Sequence, residues 1–142
     1  MAENKKEVFI LDTSTLLAYI EDEDGAEYAE DLLIRAERNE ITIYIPFVSL
    51  TEVMYITLQE KDENTAQARV DLIKSLSCIV EESSETLNFA AARLKAKNRI
   101  SLADAYIAAL CQERNGVLVH KDPEFEKLSP AINQHKLPYK WK

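Results

Sequence analysis

The side chains in this sequence that could carry chemistry are carboxylates placed near the predicted ends of strands and helices. Four of them occupy comparable positions: Asp12, Glu52, Asp104 and Asp122. Carboxylates held together without a cation repel one another, and the repulsion raises some of their pKa values. With Mg²⁺ or Mn²⁺ they stay ionised, and the metal can activate water and stabilise the charge that develops in an in-line displacement at phosphorus.

Helix capping is the alternative explanation for each acid taken singly. The segments Ser49–Glu52 and Ser101–Asp104 both resemble a capping box, and an acid in the first helical turn also suits the helix dipole. Asp12 is equally explained as an ordinary N-cap, and Asp122 before Pro123 as an ordinary helix start. Capping does not explain why a wholly apolar strand and the most apolar helix each carry an acid.

The most apolar helix is predicted for Ser101–Cys111. Its apolar residues recur at the spacing of a packed helix face: Leu102, Ala105, Tyr106, Ala109 and Leu110. Because small and apolar residues fill most of the opposite side as well, we expect this helix to be surrounded by protein. Asp104 is its one carboxylate, and a buried carboxylate is costly unless it is hydrogen-bonded, paired or bound to a metal.

Strands alternate with helices along the chain. The predicted strands are Val8–Leu11, Ile41–Ile45, Ser77–Val80 and Val117–Val119, with Lys136–Tyr139 as a possible edge strand. The predicted helices cover residues 16–20, 26–38, 49–59, 65–76, 84–97 and 101–111, the last one stopped by Gly116. This order predicts an α/β fold, a three-layer α/β/α sandwich with a central, mostly parallel sheet of four to five strands. Ligands of such sheets bind at the carboxyl ends of the strands.

The composition predicts a single domain over residues 1–142. The apolar fraction is 46% and the charged fraction 30%, as in ordinary globular proteins. The net charge of −8 argues against a broad basic face for nucleic acid. No apolar run approaches the ~20 residues of a membrane span. The two cysteines, Cys78 and Cys111, lie in apolar segments without metal-ligand spacing, so we expect buried thiols, a reducing compartment and a cytoplasmic location.

Four segments resemble the motifs of PIN domains in both order and spacing. They are Val8–Ser14, Leu50–Val53, Ser101–Ala109 and Val117–Phe125. The similarity spans essentially the whole chain and is closest to the small single-domain ribonucleases typified by the VapC toxins of toxin–antitoxin pairs. The resemblance implies an α/β/α sandwich around a parallel sheet, with a negatively charged pocket at the carboxyl ends of the strands.

The resemblance also implies roles for individual residues. The acids that match the family's ligands for Mg²⁺ or Mn²⁺, which orient the water that attacks a phosphodiester, are Asp12, Glu52, Asp104 and Asp122. Glu124 matches a position where a further acid is often found, and Thr13 or Ser14 would help to position metal-bound water. His120 stands where the family often has Ser or Thr. We expect it to be a surface or supporting histidine rather than a general base.

Cations near the acids suggest how a negative protein would take RNA. The Asp104 helix is preceded by Arg93, Lys95, Lys97 and Arg99, and Lys121 abuts Asp122. These cations could form a basic lip for single-stranded RNA, although solvated side chains at helix ends are the alternative. Apolar positions in residues 26–38 and 49–59 suggest a groove for a partner helix, and core packing explains them about as well. The resemblance implies a homodimer and an antitoxin that occludes the site.

The resulting hypothesis is a metal-dependent endoribonuclease that hydrolyses RNA phosphodiester bonds as the toxin of a toxin–antitoxin pair. The alternative is a catalytically inactive PIN-fold module that serves as a scaffold in RNA processing, against which the complete set of four acids argues. A phosphatase with an aspartyl nucleophile would need a second acid two residues after Asp12, where Ser14 stands.

Overall fold

The structure is a computed structural model that describes residues 5–128 and 131–139. The remaining positions of the predicted domain lie outside the described residues. The strands are β1 Glu7–Leu11, β2 Ile41–Pro46, β3 Ile79–Glu81, β4 Val117–His120 and β5 Asn133–Lys136. The helices are α1 Thr13–Ile20, α2 Ala26–Glu37, α3 Phe47–Glu60, α4 Glu63–Ser75, α5 Glu85–Lys97 and α6 Leu102–Glu113, followed by a short 3₁₀ helix, Pro123–Leu128.

The five strands form one parallel sheet in the order β3-β2-β1-β4-β5. The central strand β1 pairs with β2 on one side and with β4 on the other, in a register that places Leu11 opposite Val119. All strands therefore end at the same edge, and α6, which leads into β4, begins at that edge. The predicted three-layer α/β/α sandwich around a parallel sheet is confirmed.

Alternate residues of β1 enter two separate cores. Ile10 packs against α5, α6 and the 3₁₀ helix on one face of the sheet. Phe9 and Leu11 pack on the other face with residues of α1, α2, α3 and α4. Successive strand side chains point to opposite faces, so an unbroken apolar run is required where both faces are covered. This double burial holds the end of β1, and hence Asp12, in one place.

The start of α3 differs from the expected one. The helix begins at Phe47, directly after β2, with Pro46 as its N-cap, rather than at Ser49. The capping box predicted for Ser49–Glu52 is therefore wrong, because both residues lie inside the helix and Ser49 is fully buried. Pro46 suits the boundary since its fixed φ of −64° with ψ of 142° still belongs to the extended strand.

Three further expectations are corrected. The residue with positive φ after α6 is Asn115, whereas Gly116 lies so close to β1 that a Cβ there would be 3.1 Å from the carbonyl oxygen of Val8. The edge strand is Asn133–Lys136, not Lys136–Tyr139, because this segment aligns its backbone with β4. Leu102, in the first turn of α6, is 58% exposed, whereas the middle of the helix, Ala105–Cys111, is buried except at the partly buried Tyr106.

Both cysteines are unpaired thiols, with Cys111 buried and Cys78 partly buried. Burial raises the pKa of each thiol to about 12, so neither is a reactive thiolate at neutral pH. Within residues 5–128 and 131–139, no helix is both long enough and apolar enough to cross a membrane.

Candidate active site

Asp12 lies at the carboxyl end of β1 and is 3% exposed. It caps α1, since its Oδ1 accepts a 2.8 Å hydrogen bond from the backbone N–H of Thr15. The Ser14 hydroxyl donates to both carboxylate oxygens, at 2.8 and 2.7 Å. The capping explanation of Asp12 is thus correct, but it leaves a second function open because a carboxylate has more acceptor sites than these bonds use.

Ser14 also ties the ends of β1 and β4 together. Its Oγ accepts a 2.9 Å hydrogen bond from the backbone N–H of Lys121, which directly follows β4. On the same strand pair, the buried Thr15 hydroxyl donates to the carbonyl of Val119 at 2.7 Å. These two bonds set the distance between the Asp12 turn and the loop that carries Asp122.

Glu52 reaches the site from α3. The Thr13 hydroxyl, which is almost completely buried, donates a 2.6 Å hydrogen bond to its Oε1. Glu52 is half-buried and stands one turn beyond the start of α3, so it serves neither as a cap nor as a first-turn acid. Its position follows from the direct passage of β2 into α3, which brings this helix alongside α1.

Asp104 stands in the first turn of α6, where Ser101 caps the helix by accepting a 3.1 Å hydrogen bond from the Asp104 backbone N–H. Burial and, after it, the negative charges of Asp122, Glu52 and, more weakly, Asp12 raise the pKa of the Asp104 carboxyl to about 7, against the opposing effect of the Ser101 hydroxyl. The Asp104 carboxyl therefore has a raised pKa at the same helix end that Ser101 caps.

The pKa of Asp12 is raised as well. Burial, with a smaller contribution from the charge of Asp122, raises the pKa of the Asp12 carboxyl to about 6, although hydrogen bonds from Ser14 and Thr15 lower it. Because charges influence a pKa strongly only at short range, Asp122, Glu52 and Asp12 lie within electrostatic reach of Asp104, and Asp122 lies within reach of Asp12. They come from β1, α3, α6 and the loop after β4.

Asp122 is positioned by a buried histidine. Its backbone N–H donates to Nδ1 of His120 at 3.1 Å, and the other ring nitrogen, Nε2, pairs with Oε1 of Gln134 at 2.8 Å. The Gln134 amide is oriented in turn by its bond to the carbonyl of Phe125. Burial lowers the pKa of His120, which favours the neutral ring with its proton on Nε2. His120 is completely buried, so of the two expected placements, surface or supporting, the surface one is excluded.

The remaining predicted residues, Glu124, Arg99 and Lys121, have exposed or half-buried side chains. Glu124 is exposed, and its carboxylate forms a 2.8 Å ion pair with the ammonium group of Lys127. Arg99 is exposed in the loop before α6, and its carbonyl accepts from Lys127. Lys121 is half-buried, with its Nζ donating 2.7 Å to the carbonyl of Asp24.

A comparison with models of protein families identifies the family of this chain. The model of the PIN domain matches residues 9–129, which includes all four acids. The chain belongs to the PIN domain family. This confirms the family predicted from the four sequence motifs. A comparison with curated proteins finds no match.

Solved structures share the fold of this PIN domain. VapBC2 from Rickettsia felis, bound to a DNA fragment from its promoter, is 20% identical over 92% of this chain and 99% of that chain, with a TM-score of 0.74. DNA-bound VapBC from Salmonella typhimurium is 19% identical over 92% and 98%, with a TM-score of 0.72. VapC20 from Mycobacterium tuberculosis, described as a Sarcin-Ricin loop cleaving toxin, is 16% identical over 85% and 95%, with a TM-score of 0.67.

The donor chemistry of the site fits a hard divalent cation. The four acids offer only oxygen ligands, which suit Mg²⁺ and Mn²⁺. A cation among them would favour the ionised forms of Asp12 and Asp104, whose pKa values are raised by burial and by neighbouring negative charges. Among the described residues, no three His, Cys, Asp or Glu side chains are close enough to hold a metal together. Mg²⁺ typically uses one or two carboxylates and keeps several waters, so a looser ring of acids also suits it.

Three residues of this PIN domain escaped prediction from the sequence. Thr15 and Gln134 act through buried hydrogen bonds to distant partners, and only the Asp-Thr-Ser-Thr run at positions 12–15 could have signalled the first of them. Tyr139 lines a cavity beside the acids together with Ser14 and Lys121. A tyrosine in a segment of weak periodicity carries no signal of this position.

Proposed function

We propose that this PIN domain is a metal-dependent endoribonuclease that hydrolyses RNA phosphodiester bonds and is the toxin of a toxin–antitoxin pair. The observation that carries the proposal is that burial, together with the charges of Asp122, Glu52 and Asp12, raises the pKa of Asp104, although these acids are widely separated in sequence. Burial and the charge of Asp122 likewise raise the pKa of Asp12. Proteins seldom keep such mutually repelling carboxylates unless they serve a metal or a catalytic role.

The proposed ligands of Mg²⁺ or Mn²⁺ are Asp12, Glu52, Asp104 and Asp122, with Glu124 peripheral. When bound, the metal would supply a water of lowered pKa and would neutralise charge that develops on the phosphate. The chain's own part is to hold the acids rigidly. Thr13 orients Glu52, Ser14 and Thr15 orient Asp12, and packing of α6 in the core fixes Asp104.

His120 is assigned to positioning rather than to proton transfer. Both of its ring nitrogens are engaged, one by the Asp122 backbone and one by Gln134, and the ring is completely buried. A general base needs a nitrogen within reach of the attacking water. In the proposed mechanism the water is therefore oriented and deprotonated at the carboxylates, and His120 holds the loop that carries Asp122.

RNA is the proposed substrate and a basic antitoxin segment the proposed partner. Lys121 and Arg99 would contact backbone phosphates at the rim of the site. The antitoxin proposal draws support from the fold shared with the toxin of VapBC complexes, and exposed apolar residues on α2 and α3, namely Ile34, Tyr55 and Leu58, would suit a partner helix or a second copy of the chain. A cytoplasmic location, where such a partner and RNA would be met, belongs to the same proposal.

The decisive experiment is RNA cleavage by the Asp104→Asn variant with Mg²⁺ or Mn²⁺ present. Removing this charge should reduce cleavage of a structured RNA by at least about 100-fold, while circular dichroism shows an unchanged fold. Asp71→Asn is the matched control, since Asp71 is an exposed acid on α4 whose carboxylate accepts a hydrogen bond from its helix neighbour Gln67. Full activity of Asp104→Asn, or cleavage that persists in excess EDTA, would overturn the mechanism.

The scaffold alternative makes a different prediction for metal binding. A PIN fold that no longer cleaves would show no Mn²⁺ binding by calorimetry and no metal-dependent RNA cleavage. The proposed nuclease should bind Mn²⁺, and Asp12→Asn should weaken that binding, because Asp12 is the most deeply buried of the four acids.

A further inference from the structure

A cavity of about 600 Å³ opens beside the acids on the side of α1 and the segment that follows β5. Its apolar walls are Leu17, Pro123, Pro138 and Tyr139, and its polar lining includes Ser14 and Lys121. Its described lining residues do not include the four acids, which lie next to it beyond Ser14. Its volume falls in the range of ~300–1,000 Å³ that is usual for sites of small organic groups.

The cavity and the acids are joined through Ser14. The hydroxyl that lines the cavity donates to both carboxylate oxygens of Asp12 and accepts from the backbone N–H of Lys121. A group in the cavity therefore lies next to whatever binds at Asp12. A nucleotide suits two adjacent sites of this kind, because its phosphate needs a polar environment whereas its base needs an apolar one.

The lining favours a neutral, flat group over a second phosphate. Lys121 and Glu23 bring opposite charges to the cavity, and the Lys121 ammonium already donates to the carbonyl of Asp24. Apart from the Ser14 hydroxyl, the other walls are apolar or aromatic. Nucleobases are flat and uncharged at neutral pH, and they bind proteins mainly by stacking on aromatic and apolar side chains.

Tyr139 is held in place before any ligand arrives. Its hydroxyl donates to Oε2 of Glu126 at 2.8 Å, and its ring lies 6.2 Å from the His120 ring, with 27° between the planes. A side chain fixed at both points loses little conformational freedom when a base stacks on it, so more of the stacking energy contributes to binding.

We infer that this cavity binds one base of the RNA strand, that of a nucleotide next to the scissile phosphate. The inference rests on the proposed function and deepens it, since it makes Tyr139 and Leu17 residues that determine where the strand is held. A strand whose bases stay paired cannot fill the cavity, so the substrate is unpaired at this position.

The test uses abasic scanning of a single-stranded RNA that the wild-type protein cleaves. Each nucleotide near the cut is replaced in turn by an abasic one, and affinity is measured by fluorescence anisotropy in the Asp104→Asn background, where the strand stays intact. One position should stand out, with affinity falling by about 5- to 150-fold, the equivalent of one stacked base.

Variants of the cavity wall identify the base's location. With Tyr139→Ala added, the intact strand should bind as weakly as the critical abasic strand, and the abasic replacement should then cost less than about twofold. Tyr139→Phe keeps the ring and should keep the difference. Leu17→Trp fills the cavity without removing Tyr139 and should act like Tyr139→Ala, with thermal melting used to verify the fold of each variant.

Three results would count against the inference in distinguishable ways. RNA binding with no distinguished position, or an abasic effect that Tyr139→Ala and Leu17→Trp leave unchanged, overturns the cavity assignment alone. A flat profile would leave the cavity to an aromatic side chain of a protein partner. Failure of the wild-type protein to bind or cleave any RNA overturns the proposed function and the cavity assignment together.

Discussion

The hydroxyl of Thr13 donates a 2.6 Å hydrogen bond to Oε1 of Glu52 across 39 positions of sequence, joining the first turn of α1 to the second turn of α3. The bond satisfies one oxygen of Glu52 with a neutral donor and aims the carboxylate toward the other acids. Thr13 thereby affects the site through the carboxylate of Glu52.

Replacing Thr13 by valine should lower activity more than stability. Thr13→Val keeps the shape of the side chain and removes the donor, so Glu52 loses a charge-assisted bond worth about 1.5 kcal/mol and cleavage should fall about tenfold. Thr13→Ser restores the hydroxyl and should recover most of the activity. Measurement of kcat and melting temperature for both variants checks this, and equal activity of the valine and serine variants would show that the bond is incidental.

His120 should tolerate asparagine better than leucine. Asparagine can still accept the Asp122 backbone N–H with its side-chain oxygen, although it loses the bond to Gln134. Leucine leaves that buried N–H without an acceptor, at a cost of about 1–3 kcal/mol, and frees the loop that holds Asp122. We expect Mn²⁺ affinity, measured by calorimetry, to fall in the order wild type, His120→Asn, His120→Leu. Identical affinities for the two variants would refute a positioning role.

The metal-free protein should become less stable as the pH rises. The folded-state pKa values of Asp12, about 6, and Asp104, about 7, lie above the ordinary value of 3.8, so the folded chain holds these protons more tightly than the unfolded one. The resulting stability is complete below pH about 4 and is lost as the pH rises through about 7. Melting temperatures in EDTA from pH 5 to pH 8 would reveal it.

Asp104→Asn isolates one of these contributions. It should raise the free energy of unfolding of the metal-free protein at pH 8 by about 2 kcal/mol, a figure reduced for partial exposure, and should flatten the pH dependence. Gln is unsuitable because it adds a methylene. A variant that is less stable than the wild type at pH 8 would contradict the repulsion inferred at this site.

Divalent cations should stabilise the wild-type protein. A ligand that binds only the folded state at a concentration 100 times its Kd adds about 2.7 kcal/mol, so Mn²⁺ should raise the melting temperature by several degrees. Asp12→Asn should reduce the increase, whereas Glu124→Gln should change it little because Glu124 is paired with Lys127. No increase for the wild type would remove the support for a metal at the four acids.

Patterns in the sequence predicted the sheet and its helices, because the burial of each strand or helix face determines which of its positions are apolar. The run Val8–Leu11 is apolar throughout since both of its faces are covered, and the α6 stripe reflects packing against the sheet. Element ends were predicted less well. At Pro46 a helix follows the strand without a loop, and the Ser49–Glu52 pattern imitates a cap that the backbone does not form there.

The residues of the candidate site also divide into those that the sequence predicted and those that only the tertiary structure revealed. The sequence by itself determined which acids stand near the ends of elements and that parallel strands would bring those ends to one edge. Only the tertiary structure decided that Thr13 meets Glu52, that His120 is buried between Asp122 and Gln134, and that Tyr139 borders a cavity beside Ser14. Such pairs depend on strand register and on how helices cross the sheet, and no local pattern of hydrophobicity encodes a contact between residues so far apart in the chain.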